Sequence, residues 1–157
     1  MPRPVGLLDR LAVLIATVFG VGYAPLAPGT VASVVTVIFL GLVPLSRAGL
    51  VVFLLLVVIV GTWAAHRAER VISGKDPGAI VIDEVAGMTL SVVAFPLTPE
   101  VLAAGLALFR VFDVLKPPPA RESQRIKGGV GVMIDDLIAG LYALAIIAVS
   151  RRLLGWP

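Results

Sequence analysis

The chain has 157 residues, enough for one domain with one core. It is 59% hydrophobic and only 15% charged, against about a quarter charged in ordinary soluble domains, so a water-soluble globule is a poor match and an integral membrane protein is expected. The net charge of +3 comes from scattered Arg and Lys, and aromatics make up only 6%, which argues against a nucleic-acid partner. There is no cysteine and His66 is the single histidine. Disulfide and thiol chemistry are therefore excluded, and a histidine-based zinc site is a poor fit.

Apolar segments punctuated by Gly and Pro read as helices. The N-terminal stretch places Arg3 and Arg10 before an apolar run, as a signal peptide does, but it is read as a retained first helix from about Leu7 to Val21. A Gly/Pro loop over Gly20–Thr30 follows, and a second helix is expected from Val31 to Leu42, closed by Pro44. The third runs from about Arg47 to Val71. Within it, Ala48–Ala65 carries no charge and has the length needed to cross a bilayer, about 17–25 residues. His66, Arg67, Glu69 and Arg70 form its polar last turn. The loop Ser73–Gly78 leads into a fourth helix, about Ile80 to Ala94, and Pro96 and Pro99 turn the chain into a fifth, Glu100 to Leu115. Pro117, Pro118 and Pro119 end that helix. A polar loop over Ala120–Gly131 then precedes a sixth helix, Ile134 to Leu154. The expected fold is all-α: residues 1–157 form a single bundle of about six helices, several of them membrane-embedded.

Alternating helix direction puts residues 22–30, 73–83 and 113–136 at one end of the bundle. Arg67, Arg70, Lys75, Lys116, Arg121, Arg125 and Lys127 fall at that end, and Arg3, Arg10, Arg47, Arg151 and Arg152 elsewhere. The excess of cations favours a cytoplasmic face.

Of ten acidic residues, five sit in strongly apolar sequence: Asp83, Glu84, Asp113, Asp135 and Asp136. A lone charge near a bilayer centre costs about 2.5–3.5 kcal/mol on insertion scales. Neighbouring acids also repel, so one protonates unless a cation sits between them. A divalent metal is the economical neutraliser, and carboxylates without Cys and with one His favour Mg2+ over Zn2+. Asp83 and Glu84 lie near the start of the fourth helix and Asp135 and Asp136 before the sixth. N-terminal capping accounts for one acid of each pair but not for both. Gly128, Gly129 and Gly131 stand upstream of the second pair. They form either a plain turn or a place where backbone N–H groups approach an anion.

Arg110, Asp113 and Lys116 share one flank of the fifth helix at i, i+3 and i+6. They make either an intrahelical ion-pair ladder or a set in which Asp113 meets the metal while Arg110 or Lys116 holds a phosphate. Thr30 and Ser33 either cap the second helix or present hydroxyls to an anion at its N-terminus. Carboxylates, a hard cation, basic side chains and helix N-termini at one membrane face suit phosphoryl chemistry.

Four stretches carry a resemblance to a known family: Gly22–Thr30 with Ser33, Ile82–Met88, Phe109–Pro119 and Gly128–Gly140. In order and spacing, the chain resembles the phosphatidylglycerophosphatase A family, membrane phosphatases of bacterial phospholipid synthesis. Ala32 and Ala86 stand where glycine is associated with the family motifs, a conservative departure. The resemblance implies an all-α, Mg2+-dependent phosphomonoesterase that removes the terminal phosphate of phosphatidylglycerophosphate. It places the chain in the bacterial inner membrane, with a lipid substrate.

The expected division of roles follows. Asp83, Glu84, Asp113, Asp135 and Asp136 hold one or two Mg2+ ions. Arg110 and Lys116 bind phosphate oxygens, with Thr30, Ser33 and the backbone near Gly29 and at Gly128 and Gly129 assisting. Among Asp83, Glu84, Asp113 and Asp136, one carboxylate acts as general acid or base, or an aspartate is transiently phosphorylated. Two alternatives stay open. A CDP-alcohol phosphotransferase also uses membrane carboxylates and a divalent metal, but its D-G…A-R…G…D…D run is absent here. A small cation-binding transporter lines a path with acids, but spreads them across bilayer depth.

Overall fold

Proline and glycine set most of the helix ends. The computed structural model describes residues 6–72, 77–123 and 126–155. The helices are α1 (Leu7–Ala16), α2 (Pro28–Leu42), α3 (Arg47–Ile72), α4 (Ile82–Val92), α5 (Pro99–Leu115), α6 (Ala120–Ser123) and α7 (Gly129–Leu154), with 3-10 turns at Val21–Tyr23 and Pro77–Ala79 and no strand among the described residues. The six expected helices are all present, and the seventh is the four-residue α6, inside the stretch expected to be loop. Arg3, Lys75 and Arg125, used above to orient the bundle, lie outside the described residues.

Pro99 opens α5 behind Thr98, whose hydroxyl accepts the Val101 N–H at 3.3 Å, the usual division of labour at a helix start. Pro28 opens α2 in the same way, with Ala27 in a left-handed conformation at the N-cap and no side-chain cap. Thr30 and Ser33 therefore do not cap this helix. Thr30 falls inside the first turn, and the Ser33 hydroxyl donates back to the Gly29 carbonyl at 2.8 Å.

The second helix begins at Pro28 rather than Val31 and the fourth spans Ile82–Val92 rather than Ile80–Ala94, but two boundaries shift further. The first helix stops at Ala16 rather than Val21, because Val18, Phe19 and Gly20 take positive φ values of 49°, 54° and 95°. The chain then turns back, and the Gly22 N–H reaches the Thr17 carbonyl at 2.9 Å. Ten residues make α1 about 15 Å long, half the roughly 30 Å of a bilayer's hydrocarbon core, so α1 does not cross. The last helix starts at Gly129 rather than Ile134. Its glycines serve backbone contact: a Cβ on Gly129 would lie 2.1 Å from the Thr62 carbonyl oxygen of α3, and one on Gly131 1.7 Å from that of Ile126.

α4 is the centre of the bundle. Nine of its eleven residues are buried, and it packs against α2, α3, α5 and above all α7. α3 and α7 are the two long apolar helices, each of 26 residues, and their most apolar 18-residue stretches have mean hydropathies of 2.6 and 2.1. At about 39 Å either is long enough to cross a bilayer. Only 22% of the most apolar stretch of α3 is buried within the protein. Val52, Leu55, Leu56 and Ile59 face outward, half or more exposed. The core helix of a soluble protein hides such side chains; a helix against lipid tails presents them.

Candidate active site

The site begins with a close crossing of α4 and α7. A Cβ on Gly140 would lie 2.5 Å from the Gly87 carbonyl oxygen, and a Cβ on Gly87 would meet the Asp136 carbonyl oxygen at 2.7 Å and the Phe109 ring at 2.4 Å. The two backbones thus touch where neither residue has a side chain. Asp83 stands four residues before Gly87, and Asp136 four before Gly140, so each carboxylate sits one turn from the crossing. The sequence analysis missed these two glycines as functional residues. Their signal was there: both helices carry Asp-x-x-Ala-Gly, as Asp83–Gly87 and as Asp136–Gly140, with both alanines fully buried.

The crossing gathers part of the acidic set. Ligand-capable oxygens of Asp83, Glu84 and Asp136 lie within 4.8 Å of one another. Asp83 and Asp136 are 9% and 2% exposed, and Asp83 Oδ1, Glu84 Oε2 and Asp136 Oδ2 are buried with no hydrogen-bond donor. Three oxygens in this state are unstable as bare anions. They fit a hard divalent cation, which takes carboxylate oxygens in this number and leaves coordination positions for water and phosphate. Asp83 and Glu84 occupy the first turn of α4, as expected. Asp135 and Asp136 lie well inside α7 rather than before it, so capping explains neither.

The other two carboxylates are engaged differently. Arg110 Nη1 lies 2.7 Å from Asp113 Oδ2 and 3.9 Å from Glu84 Oε1. Lys116 Nζ lies 3.5 Å from Asp113 Oδ1 and hydrogen-bonds to Asp135 Oδ2. Asp113 thus links two cations side by side, and Asp135 ties the second to α7. The Arg110–Asp113–Lys116 flank is the ion-pair ladder of the two readings, and Arg110 also reaches the acidic cluster at Glu84.

Lys116 caps α5 in a left-handed conformation, φ 45°, which costs a non-glycine residue about 1–2 kcal/mol. Its turn is held by the Tyr142 hydroxyl, which donates to the Pro118 carbonyl at 2.6 Å, and by Tyr142 stacking on Phe112. Burial alone would lower the pKa of Lys116, but the hydrogen bond to Asp135 and the charges of Asp135 and Asp113 outweigh it. The pKa is raised, and the group is an ammonium.

The first turn of α2 reaches the cluster from a third direction. A Cβ on Gly29 would lie 2.0 Å from Glu84 Oε1 and 3.3 Å from Arg110 Nη1, so Glu84 packs directly against the α2 backbone. Thr30 follows Gly29 in this turn, while the Ser33 hydroxyl is buried and committed to Gly29. Gly128 and Gly129 lie against His66 and Thr62 of α3. Gly128 lines a pocket that also has Asp83 of the cluster among its walls.

The fold and site define an all-helical protein with two long apolar helices and a buried cluster of carboxylates bordered by the basic groups of Arg110 and Lys116. Residues 14–151 match the family described as phosphatidylglycerophosphatase A. The chain is 35% identical to phosphatidylglycerophosphatase A of Escherichia coli and 37% to that of Haemophilus influenzae, in each case over 85% of this chain and 80% and 85% of the relative. It is 40% identical to a putative phosphatidylinositol-3-phosphatase of Bacteroides thetaiotaomicron, over 99% of this chain and the whole of the relative. No solved structure matches. The chain belongs to the phosphatidylglycerophosphatase A family.

Proposed function

We propose that the protein is a Mg2+-dependent phosphatidylglycerophosphatase. It hydrolyses the terminal phosphomonoester of phosphatidylglycerophosphate to phosphatidylglycerol and inorganic phosphate, a step of phospholipid synthesis, at the cytoplasmic face of the bacterial inner membrane. The observation that carries this reading is the Asp83–Glu84–Asp136 cluster with its three unpaired buried oxygens. These three residues would hold the ion, which when bound supplies positive charge to phosphate oxygens and acidity to a water molecule.

The remaining roles follow from the surroundings. Arg110 and Lys116 bind the phosphate oxygens, and Asp113 holds the two cations at a fixed spacing, so that little reorganisation accompanies the reaction. Glu84 is the cluster member in reach of Arg110. One carboxylate of the cluster takes a proton from the attacking water. The apolar faces of α3 and α7 keep the site at the surface of the bilayer that contains the substrate.

The Bacteroides relative carries the name of a phosphatase for a different lipid, and both lipids present a phosphomonoester on a polyol. The test is phosphate release by the purified protein from phosphatidylglycerophosphate, phosphatidylinositol 3-phosphate and glycerol 3-phosphate in mixed micelles. A rate on phosphatidylglycerophosphate at least tenfold above the others supports the assignment. A preference for the inositol lipid moves it to that substrate, and equal cleavage of glycerol 3-phosphate refutes a lipid phosphatase.

A further inference from the structure

A pocket of about 370 Å3 opens on the α3 side of the acidic cluster, with Glu69, Ile80, Asp83, Lys127, Gly128 and Asp135 among its walls. This is within the size of small-ligand sites, about 300–1,000 Å3; Arg110 and Lys116 are not among its walls, and Asp135, which is, holds Lys116 on the adjoining flank. Its walls carry three carboxylates, the buried Asp83 and Asp135 and the exposed Glu69, and Asp83 joins the pocket to the cluster that would hold the ion. Its rim includes Lys127, exposed and without an ion-pair partner among the described residues. That separates Lys127 from Arg110 and Lys116, each of which is tied to carboxylates. The pocket therefore offers carboxylate oxygens to hydroxyl donors, and at its mouth Lys127, beside the exposed Glu69, offers a cation to an anion.

We propose that this pocket is the headgroup subsite: the polyol enters it, and Lys127 binds the internal phosphodiester that joins the polyol to the diacylglycerol. The proposal rests on the lipid phosphatase reading above and deepens it. A lipid whose polyol bears a terminal phosphate has two anionic groups separated by a hydroxylated linker. The metal-ready cluster with Arg110 and Lys116 takes the terminal one. The pocket supplies acceptors for the linker, and Lys127 supplies the second cation. A phosphate ester lacking the internal diester has nothing to offer Lys127, which makes this residue a determinant of specificity rather than of the chemical step.

The experiment compares wild type, Lys127→Ala and Lys127→Arg on phosphatidylglycerophosphate, with inorganic phosphate as competing inhibitor. Inorganic phosphate occupies only the terminal-phosphate end. The expected result for Lys127→Ala is a KM raised about tenfold, the loss of one charge-assisted contact, with kcat and the inhibition constant of phosphate within twofold of wild type. Lys127→Arg restores KM. An unchanged KM overturns the proposal. So does a phosphate inhibition constant that rises in step with KM, which assigns Lys127 to the terminal phosphate. A wild-type protein that releases no phosphate from the lipid removes the lipid phosphatase assignment itself, an outcome distinct from either of these.

Discussion

Gly140→Ala tests whether the α4–α7 crossing sets the catalytic geometry. The added Cβ would stand 2.5 Å from the Gly87 carbonyl oxygen, where ordinary contact begins at 3.4 Å. The obstacle is backbone, so no side chain can swing away, and the helices must separate by about 0.9 Å, the difference of these distances. Overpacking of this kind costs about 1–3 kcal/mol, which shifts Tm by several degrees in a domain of this size, about 2–8 °C per kcal/mol. The larger effect is on the site one turn away, where Asp136 moves relative to Asp83 and Glu84. A misplacement near 1 Å lowers activity about 10²-fold. The assay is phosphate release at saturating lipid, with thermal unfolding in the same detergent. A folded Gly140→Ala protein with activity within twofold of wild type would refute the claim that this contact positions the carboxylates.

Gly29→Ala places a Cβ against Glu84 Oε1 and is expected to lower kcat at least tenfold while leaving the fold intact, checked by circular dichroism beside the activity assay. Glu84→Gln and Asp136→Asn each remove one charge from the cluster and are expected to lower kcat about 10²-fold or more, since each tenfold corresponds to about 1.4 kcal/mol; single-turnover phosphate release measures this. Lys116→Ala leaves Asp113 and Asp135 without their shared cation. With the lysine 27% exposed, the expected loss is about 1–3 kcal/mol of stability after discounting for solvent screening, and Lys116→Arg recovers most of it in a denaturant titration. Asp9 hydrogen-bonds Arg67 at 2.9 Å, and that bond and the Gly6 N–H hold its pKa below the ordinary 3.8. A depressed pKa stabilises the fold above the unfolded value and ceases to do so as pH falls through the folded one. The Tm difference between wild type and Asp9→Asn should therefore be present at neutral pH and close as the pH drops below 3.8.

The helices were legible because apolar runs and proline stops repeat along the chain, and the end of the bundle that holds the acids followed from helix direction alone. The break after Ala16 was not, because Val18 and Phe19 carry no signal for a left-handed turn. The start of α7 was hidden by Gly128, Gly129 and Gly131, which advertise a loop but serve close packing on α3. Composition located all five carboxylates. It did not divide them into three that converge with unpaired oxygens and two that anchor Arg110 and Lys116, because that division depends on which helix faces meet. The pairing of Lys116 with Asp135 bridges nineteen positions of sequence, beyond the reach of any local pattern. The repeated Asp-x-x-Ala-Gly was the one cue to the crossing, and it gains meaning only once α4 and α7 are known to pack together.

Asp83, Glu84 and Asp136 are proposed to hold a divalent cation required for phosphate release. The direct measurement is the rate on phosphatidylglycerophosphate as Mg2+ is returned to chelator-stripped protein, for wild type and Asp136→Asn. No release is expected without the ion, with saturable activation in the wild type and activation displaced at least tenfold to higher Mg2+ in the variant. Undiminished release by wild type in excess chelator would contradict that requirement.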